Sequence, residues 1–262
     1  MRFVSSQKLS LREVSQRVDG VVSKDTVHRR IKESKNIVYR HMRRIPLLKK
    51  EHKEQRLAWA KDHMHWKDEW MQVIFSDEKK FNLDGPDGWN SYWHDLRREP
   101  RTLFSRQKGG GSLMVWGAFS FNGTTDIAFL EGKQTSIDYV EVLNSHLLPI
   151  AETLGGPNYV YQQDNAPIHT SKLTKKWFAD NNVNVMVWPA RSPDLNPVEN
   201  LWGILVRSVY ASGRQFSNVL ELRKEIERSW FDIKPDCLQS LVQSMPGRIF
   251  AVINKNGSII GR

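Results

Sequence analysis

Three carboxylates in this 262-residue chain stand in contexts suited to phosphoryl-transfer chemistry. Asp77 follows the apolar run 71–75 in MQVIFSDEKKF, Asp164 follows the strand-like run 159–163 in YVYQQDNAPIH, and Glu199 opens a helix-like stretch in RSPDLNPVENLWGIL. Between Asp164 and Glu199 lie 34 residues, room for one helix, one strand and a turn. Acids far apart in sequence can thus converge on one sheet edge. Hard oxygen ligands gathered in this way bind cations such as Mg2+, which activate a nucleophile and stabilise the leaving oxygen of a phosphodiester. Each acid also has a plainer reading. Asp77 alone is an ordinary turn residue. Glu199 falls three residues after Asn196, an N-cap type followed by Pro197, so it also fits the reciprocal position of a capping box. Asp194 competes as the third carboxylate, although its proline-flanked turn favours a structural role. Taken together, the contexts favour one shared metal site at Asp77, Asp164 and Glu199.

The elements that must position these acids follow from periodicity. Strand-like segments are predicted at 71–76, 113–121, 125–130, 159–163 and 183–188, with helices at about 136–154, 170–181, 198–211, 218–231 and 235–253. Antiparallel strands first and strand–helix alternation afterwards predict an α/β fold, a mixed sheet flanked by helices. Upstream, a helix is predicted from Glu51 to about Trp70 with Leu57, Ala60 and Met64 on one face. Before it come two short helices. The first is capped by Ser10, with Leu11, Val14 and Val18 on one face. The second is capped by Ser23, with Val27 and Ile31 on one face and Lys24, Thr26, His28, Arg29, Arg30 and Lys32 facing elsewhere. That is the pattern of a helix-turn-helix whose second helix enters a major groove, although any amphipathic helical hairpin shares it.

Charge separates the chain into unlike parts. Residues 1–56 carry 16 Lys and Arg against 6 Asp and Glu, whereas residues 57–262 carry 23 of each. The whole formal charge of +10 therefore lies in the first fifth, the footprint of a nucleic-acid-binding appendage on a near-neutral body. A solvated helical surface is the plainer alternative. Within the basic stretch 36–56, Arg40, Arg43, Arg44, Lys49 and Lys50 suit DNA phosphates or a nuclear-import address. The single cysteine, Cys237, excludes an internal disulfide or a cysteine-rich zinc module and is expected to be a buried core thiol. No apolar stretch approaches a membrane span, and the start lacks a signal-peptide hydrophobic region.

Four motifs in order, FSDEKKF, GGGSLMVWGAFS, QQDNAPIH and WPARSPDLNPVENLWGIL, resemble the DDE transposases of the Tc/mariner superfamily, the Tc-type branch in particular. The resemblance runs from about residue 10 to near the C-terminus. It implies an RNase H-like fold with both aspartates on adjacent central strands. It also implies two Mg2+ ions, Mn2+ substituting, about 3.5–4 Å apart on the acid triad. By resemblance the chain is a cut-and-paste transposase that cleaves at terminal inverted repeats and joins to a TA dinucleotide, bound to double-stranded DNA as a homodimer in the nucleus. The expected divisions are a partial helix-turn-helix at 1–35, a basic linker and helix at 36–69 and the catalytic domain at 70–262. Relatives usually carry two helix-turn-helix subdomains, so the N-terminal arm is expected to be truncated and its sequence discrimination poor.

Other residues carry weaker signals. The stretch between Asp77 and the next strand combines Trp89, Tyr92 and Trp93 with Arg97, Arg98, Arg101, Arg106 and Lys108, a loop able to stack on distorted DNA and contact phosphates, or a hairpin packed on the sheet. The triple glycine 109–111 suits close approach to DNA or a tight turn. His169 suits orienting water or a phosphate, or capping a helix, but not ligating a metal. Trp116, Trp188, Trp202 and Trp230 read as core. Two other classes use parts of the same pattern. A structure-selective nuclease shares the triad, but the basic arm argues against it. A catalytically inactive, transposase-derived DNA-binding protein keeps the arm, but the presence of all three acids argues against that.

Overall fold

Alternation along β1 (Val73–Asn82) divides the core in two, because successive side chains of a strand face opposite sides of the sheet. A computed structural model describes residues 16, 22–33, 47–85 and 111–260. The chain falls into two compact units, Met1–Pro46 and Leu47–Arg262. In the first, α1 (Lys24–Glu33) begins where predicted, with the Thr26 N–H donating to Ser23 Oγ at 3.2 Å. Val27 is buried and Ile31 half-buried, while His28, Arg29, Arg30 and Lys32 are exposed. The predicted helix with Leu11, Val14 and Val18 lies outside the described residues. So do the side chain of Lys24, the bases Arg40, Arg43 and Arg44, and the loop with Arg97, Arg98, Arg101 and Lys108.

The second unit starts with α2 (Lys50–Asp62) and continues into the sheet. β1 pairs antiparallel with β2 (Ser112–Ser120) and parallel with β5 (Val160–Gln162), which pairs in parallel with β6 (Asn184–Val185). Short strands β3 (Gly123–Thr124) and β4 (Ala128–Leu130) pair with β2, giving the order β3-β2-β1-β5-β6 with β4 also on β2. Around the sheet lie α3 (Ser136–Val142), α4 (Ala151–Gly155), α5 (Lys172–Asp180), α6 (Val198–Val209), α7 (Val219–Phe231), α8 (Pro235–Gln243) and α9 (Met245–Asn254). One core cluster holds Val73, Phe75 and Phe81 against Leu201, Trp202, Leu205 and Trp230. The other holds Ile74 and Tyr161 against Tyr139, Leu143, Trp177 and Phe178. The mixed sheet flanked by helices is the predicted architecture.

Several boundaries differ from the sequence expectation. β1 runs on to Asn82, so Asp77 lies mid-strand, because β2 pairs with it through Asn82↔Ser112. The helix expected at 136–154 is broken into α3, a π-helical turn at Leu143–Leu147 and α4. Pro149, which has no N–H to donate, lies in the interruption. The helix expected at 235–253 is two, with Pro246 in the first turn of α9. The helix from Glu51 ends at Asp62, and its buried face is Arg56, Trp59 and Ala60, while Met64 is exposed. Cys237 is half-buried rather than fully buried. Gly111 carries a tight packing role, since an added Cβ would lie 3.0 Å from Val219 and 3.1 Å from Leu83.

The charge on the buried face of α2 is answered across the fold. Arg56 Nη1 and Nη2 donate to the two carboxylate oxygens of Asp194 at 2.8 and 2.7 Å, and both residues are inaccessible or nearly so. Arg56 also donates to Ser192 Oγ and to the Gly257 carbonyl, and the Ile260 N–H donates to Asp194 Oδ2. Gly257, at φ +76°, must be glycine here, because a Cβ would meet the Lys53 carbonyl oxygen at 1.9 Å. The residue that competed with Glu199 in the sequence therefore has both carboxylate oxygens committed to structure. Asp194→Ala is expected to lower unfolding stability by roughly 3–5 kcal/mol, because it strands a buried guanidinium. Urea denaturation measures this, and a loss below about 1 kcal/mol would contradict it.

Candidate active site

Asp77 and Asp164 come from neighbouring strands. β1 and β5 pair in parallel at Val73↔Val160, Ile74↔Tyr161 and Phe75↔Gln162, and Asp77 and Asp164 each lie two residues past the last of these pairs. Glu199 comes from the first turn of α6, which packs on β1. Its proximity is felt electrostatically. Burial, then the charges of Glu199 and Glu78, push the Asp77 carboxyl up to about 8, against the pull of a hydrogen bond from Trp202. That bond runs from Trp202 Nε1 to Asp77 Oδ2 at 3.2 Å. Trp202 stacks on Trp230 at 5.4 Å, and Gly117, paired with Asp77 across the β1–β2 ladder, leaves the room for both indoles. A Cβ there would lie 3.0 Å from Trp230 and 3.1 Å from Trp202.

Asp164 is more accessible and differently held. Its Oδ1 accepts from the Ala166 N–H at 2.8 Å and lies 2.7 Å from His169 Nδ1. Burial works to raise its pKa, but the His169 and Ala166 hydrogen bonds outweigh this and hold it below the usual carboxylate value. Burial likewise works to lower the pKa of His169, but Asp164 and Glu78 raise it to about 9, so the ring is cationic at neutral pH. His169 Nε2 lies 3.3 Å from Glu78 Oε1, an ion-pair distance, and the ring packs on Tyr139 at 4.2 Å. These side chains border a cavity of about 260 Å³ that Trp116, Leu130 and Ile168 also line. His169 is not the helix cap, since Ser171 Oγ takes that role for α5 by accepting from the Thr174 N–H.

The donor set fits hard divalent cations. A carboxylate nearly out of water beside a second acid is electrostatically unfavourable, and a cation would relieve that repulsion. Among the described residues no three His, Cys, Asp or Glu side chains form a ready-made cage, and Asp164 Oδ1 is engaged by His169. Asn196 Oδ1 accepts from the Val198 N–H at 3.2 Å, and α6 begins one residue later than expected, with Pro197 rather than Asn196 at its N-cap position. Three residues here escaped the sequence reading in part or whole. Glu78 was overlooked although it adjoins Asp77 on the opposite strand face. Trp202 was read as core alone although it lies one helical turn after Glu199. Arg56 was read only as one basic residue among many.

Trp202→Phe is expected to lower strand cleavage about tenfold or more, since a lost partner of a metal-site carboxylate has that effect. Trp230→Phe removes similar ring volume from the same stack without touching Asp77, and its folded form should cleave near the parent rate. Equal rates for the two variants in a plasmid-nicking assay would make the Trp202–Asp77 hydrogen bond incidental.

Residues 72–223 match the family described as DDE superfamily endonuclease, and residues 1–65 match a transposase family of the Tc3 helix-turn-helix type. The chain is 43% identical over 260 residues to the transposable element Tc3 transposase of Caenorhabditis elegans, covering 99% of this chain and 78% of that protein. It is 36% identical over 247 residues to the Tc1 transposase of the same organism, covering 91% and 88%. Among solved structures, the mariner Mos1 paired-end complex with Mg superposes with a TM-score of 0.80 at 17% identity, covering 99% of this chain and 78% of that one. The Mos1 strand transfer complex superposes with a TM-score of 0.77 at 17% identity, covering 99% and 77%. Mos1 supplies the fold, and the worm relatives and the family matches supply the kinship: the chain belongs to the DDE transposases of the Tc/mariner superfamily, in the Tc-type branch.

Proposed function

We propose that this chain excises a DNA transposon at its ends and joins the freed 3′-hydroxyls to target DNA at a TA dinucleotide, with Asp77, Asp164 and Glu199 as the ligands of two divalent cations. The observation that carries the reading is that Asp77 and Asp164 each lie two residues past the last pair of the parallel β1–β5 ladder, with the charge of Glu199 bearing on Asp77. Cations held by these acids supply activation of water and stabilisation of the leaving oxygen of a phosphodiester. Solved Mos1 complexes with Mg and with Mn support the choice of Mg2+ or Mn2+. Burial and the neighbouring acids favour a proton on Asp77, which a cation bound here would displace. Trp202 fixes the orientation of that carboxylate, and the cationic His169 fixes that of Asp164. Water and the 3′-hydroxyl act as nucleophiles in turn, so no Ser or Tyr of the chain forms a covalent bond to DNA.

The exposed His28, Arg29, Arg30 and Lys32 of α1 suit major-groove and phosphate contacts, with Thr26 and Lys24 at its start. The likeness to paired-end complexes supports a homodimer on two transposon ends, and the nucleus is the compartment where such DNA is met.

Asp77→Asn, Asp164→Asn and Glu199→Gln are each expected to abolish cleavage and strand transfer while DNA binding survives. Pairs of them should lose no more than one alone, because they act as a unit. Glu199→Gln should barely move the melting temperature, since a cap contributes about 1 kcal/mol and Gln also suits that position. Parent-like cleavage by Glu199→Gln in Mg2+ would remove it from the site.

Deleting residues 1–46, which leaves the buried Arg56 and its helix in place, is expected to weaken duplex binding and flatten its dependence on salt. Fewer counterions are then released on binding. A salt titration with an unchanged slope would place the DNA contacts elsewhere.

A further inference from the structure

We propose that Asn196 is a positioning residue of the cleavage site, whose amide bolts the helix carrying Glu199 to the strand carrying Asp77 and so sets the spacing of two cation ligands. The inference rests on the assignment of those acids made above. Asn196 is only 5% exposed and makes two hydrogen bonds of different kinds. Its Oδ1 accepts from the Val198 N–H at the start of α6, which is ordinary local bonding at a helix start. Its Nδ2 donates to the Ser76 carbonyl at 3.0 Å, across 120 residues of sequence, and capping gives no account of that bond. Ser76 directly precedes Asp77, and Val198 directly precedes Glu199. One planar amide therefore joins the backbones beside two ligands.

The strand side of this bolt is rigid. Ser76 Oγ donates to the Gln162 carbonyl at 2.8 Å and lies 2.7 Å from the Tyr161 hydroxyl, which ties β1 to β5 just before Asp164. The helix side is held as well, with Arg248 donating to the Asp194 carbonyl at 2.9 Å and to Asn200 Oδ1 at 2.8 Å. Those anchors fix the turn to α9, not to the strand. Just ahead of α6, the Asn196 amide links the chain directly to β1. Only an amide supplies both the acceptor and the donor at this length. Asp keeps the acceptor and sets an oxygen against the Ser76 carbonyl, whereas Ser caps but is too short to reach the strand.

The test is Mn2+ binding by the full chain, followed by water-proton relaxation, in the parent, Asn196→Ser, Asn196→Asp and Asp77→Asn, with melting temperatures recorded alongside. Asn196→Ser and Asn196→Asp are expected to bind Mn2+ about tenfold or more weakly than the parent, the usual effect of losing a partner that orients a metal ligand. Both keep an acceptor for the Val198 N–H, but each leaves the Ser76 carbonyl without its donor and Asn196→Asp also buries a carboxylate, so the melting temperature should fall, most for Asn196→Asp. Cleavage by either should recover when Mn2+ is raised by the same factor. Asn196→Asp is the decisive variant, because its added charge by itself would tighten cation binding. Parent-like or tighter Mn2+ binding by a folded Asn196 variant overturns the positioning role, even if its melting temperature falls. Parent-like binding by Asp77→Asn overturns instead the cation site on which the role depends.

Discussion

Burial and the nearby charges of Glu199 and Glu78 disfavour the ionised Asp77 carboxyl, and much of the second unit is arranged to hold it in place. Left alone, Asp77 would move away or take up a proton, and its raised carboxyl reflects burial first and the charges of Glu199 and Glu78 after it. The fold resists that movement with contacts made elsewhere. Trp202 holds Asp77 from within α6, Asn196 ties the start of that helix to β1, and Arg248 secures the turn before it. Behind these stands the Arg56–Asp194 pair, where a guanidinium without measurable exposure joins α2, the pre-helix turn and the C-terminal residues. A broken buried ion pair is far more costly than a lost surface one, so this junction tolerates little change.

The two faces of β1 divide the electrostatic task. Asp77 faces the large helical cluster with Trp202 and Trp230, and its neighbour Glu78 is directed to His169. A cationic His169 flanked by Asp164 and Glu78 neutralises part of the acid excess at one side of the site. Ser76, between these faces in sequence, bonds to Tyr161, which is itself 3.0 Å from the Tyr139 hydroxyl, and Tyr139 donates to Gln163 just before Asp164. A buried polar network thus joins the residues that immediately precede the two aspartates. Such networks act as units, and a change at one member is felt at the others.

Charge also divides the chain at a larger scale. The basic excess of the first 56 residues extends into α2, whose outer face is exposed Lys and Glu while its inner face is Arg56, Trp59 and Ala60. One helix therefore belongs by composition to the basic arm and by packing to the catalytic body. Trp59 sits 5.0 Å from Trp188 and 6.1 Å from Trp70, inside the main core.

How much was legible in the sequence depended on the range of the interaction responsible. The strand pattern around Asp77 and Asp164, the cap at Ser23 and the alternation of strands and helices all follow from short-range chemistry, and residue order carries that directly. So does the structural reading of Asp194 in its proline-flanked turn, although its partner does not. Arg56 is 138 residues away from Asp194, and a basic residue amid basic residues gives no sign that it alone will be buried. The helix breaks fall at Pro149 and just before Pro246, whereas the end of the Glu51 helix and the length of β1 were set by what each segment met in three dimensions. The same holds for Trp202 and Asn196. Sequence assigned one to the core, correctly, and the other to a cap, one residue before the observed N-cap position, but each also reaches a partner on β1. Only the packing of α6 against the sheet, which no local pattern encodes, brought those donors within hydrogen-bonding distance.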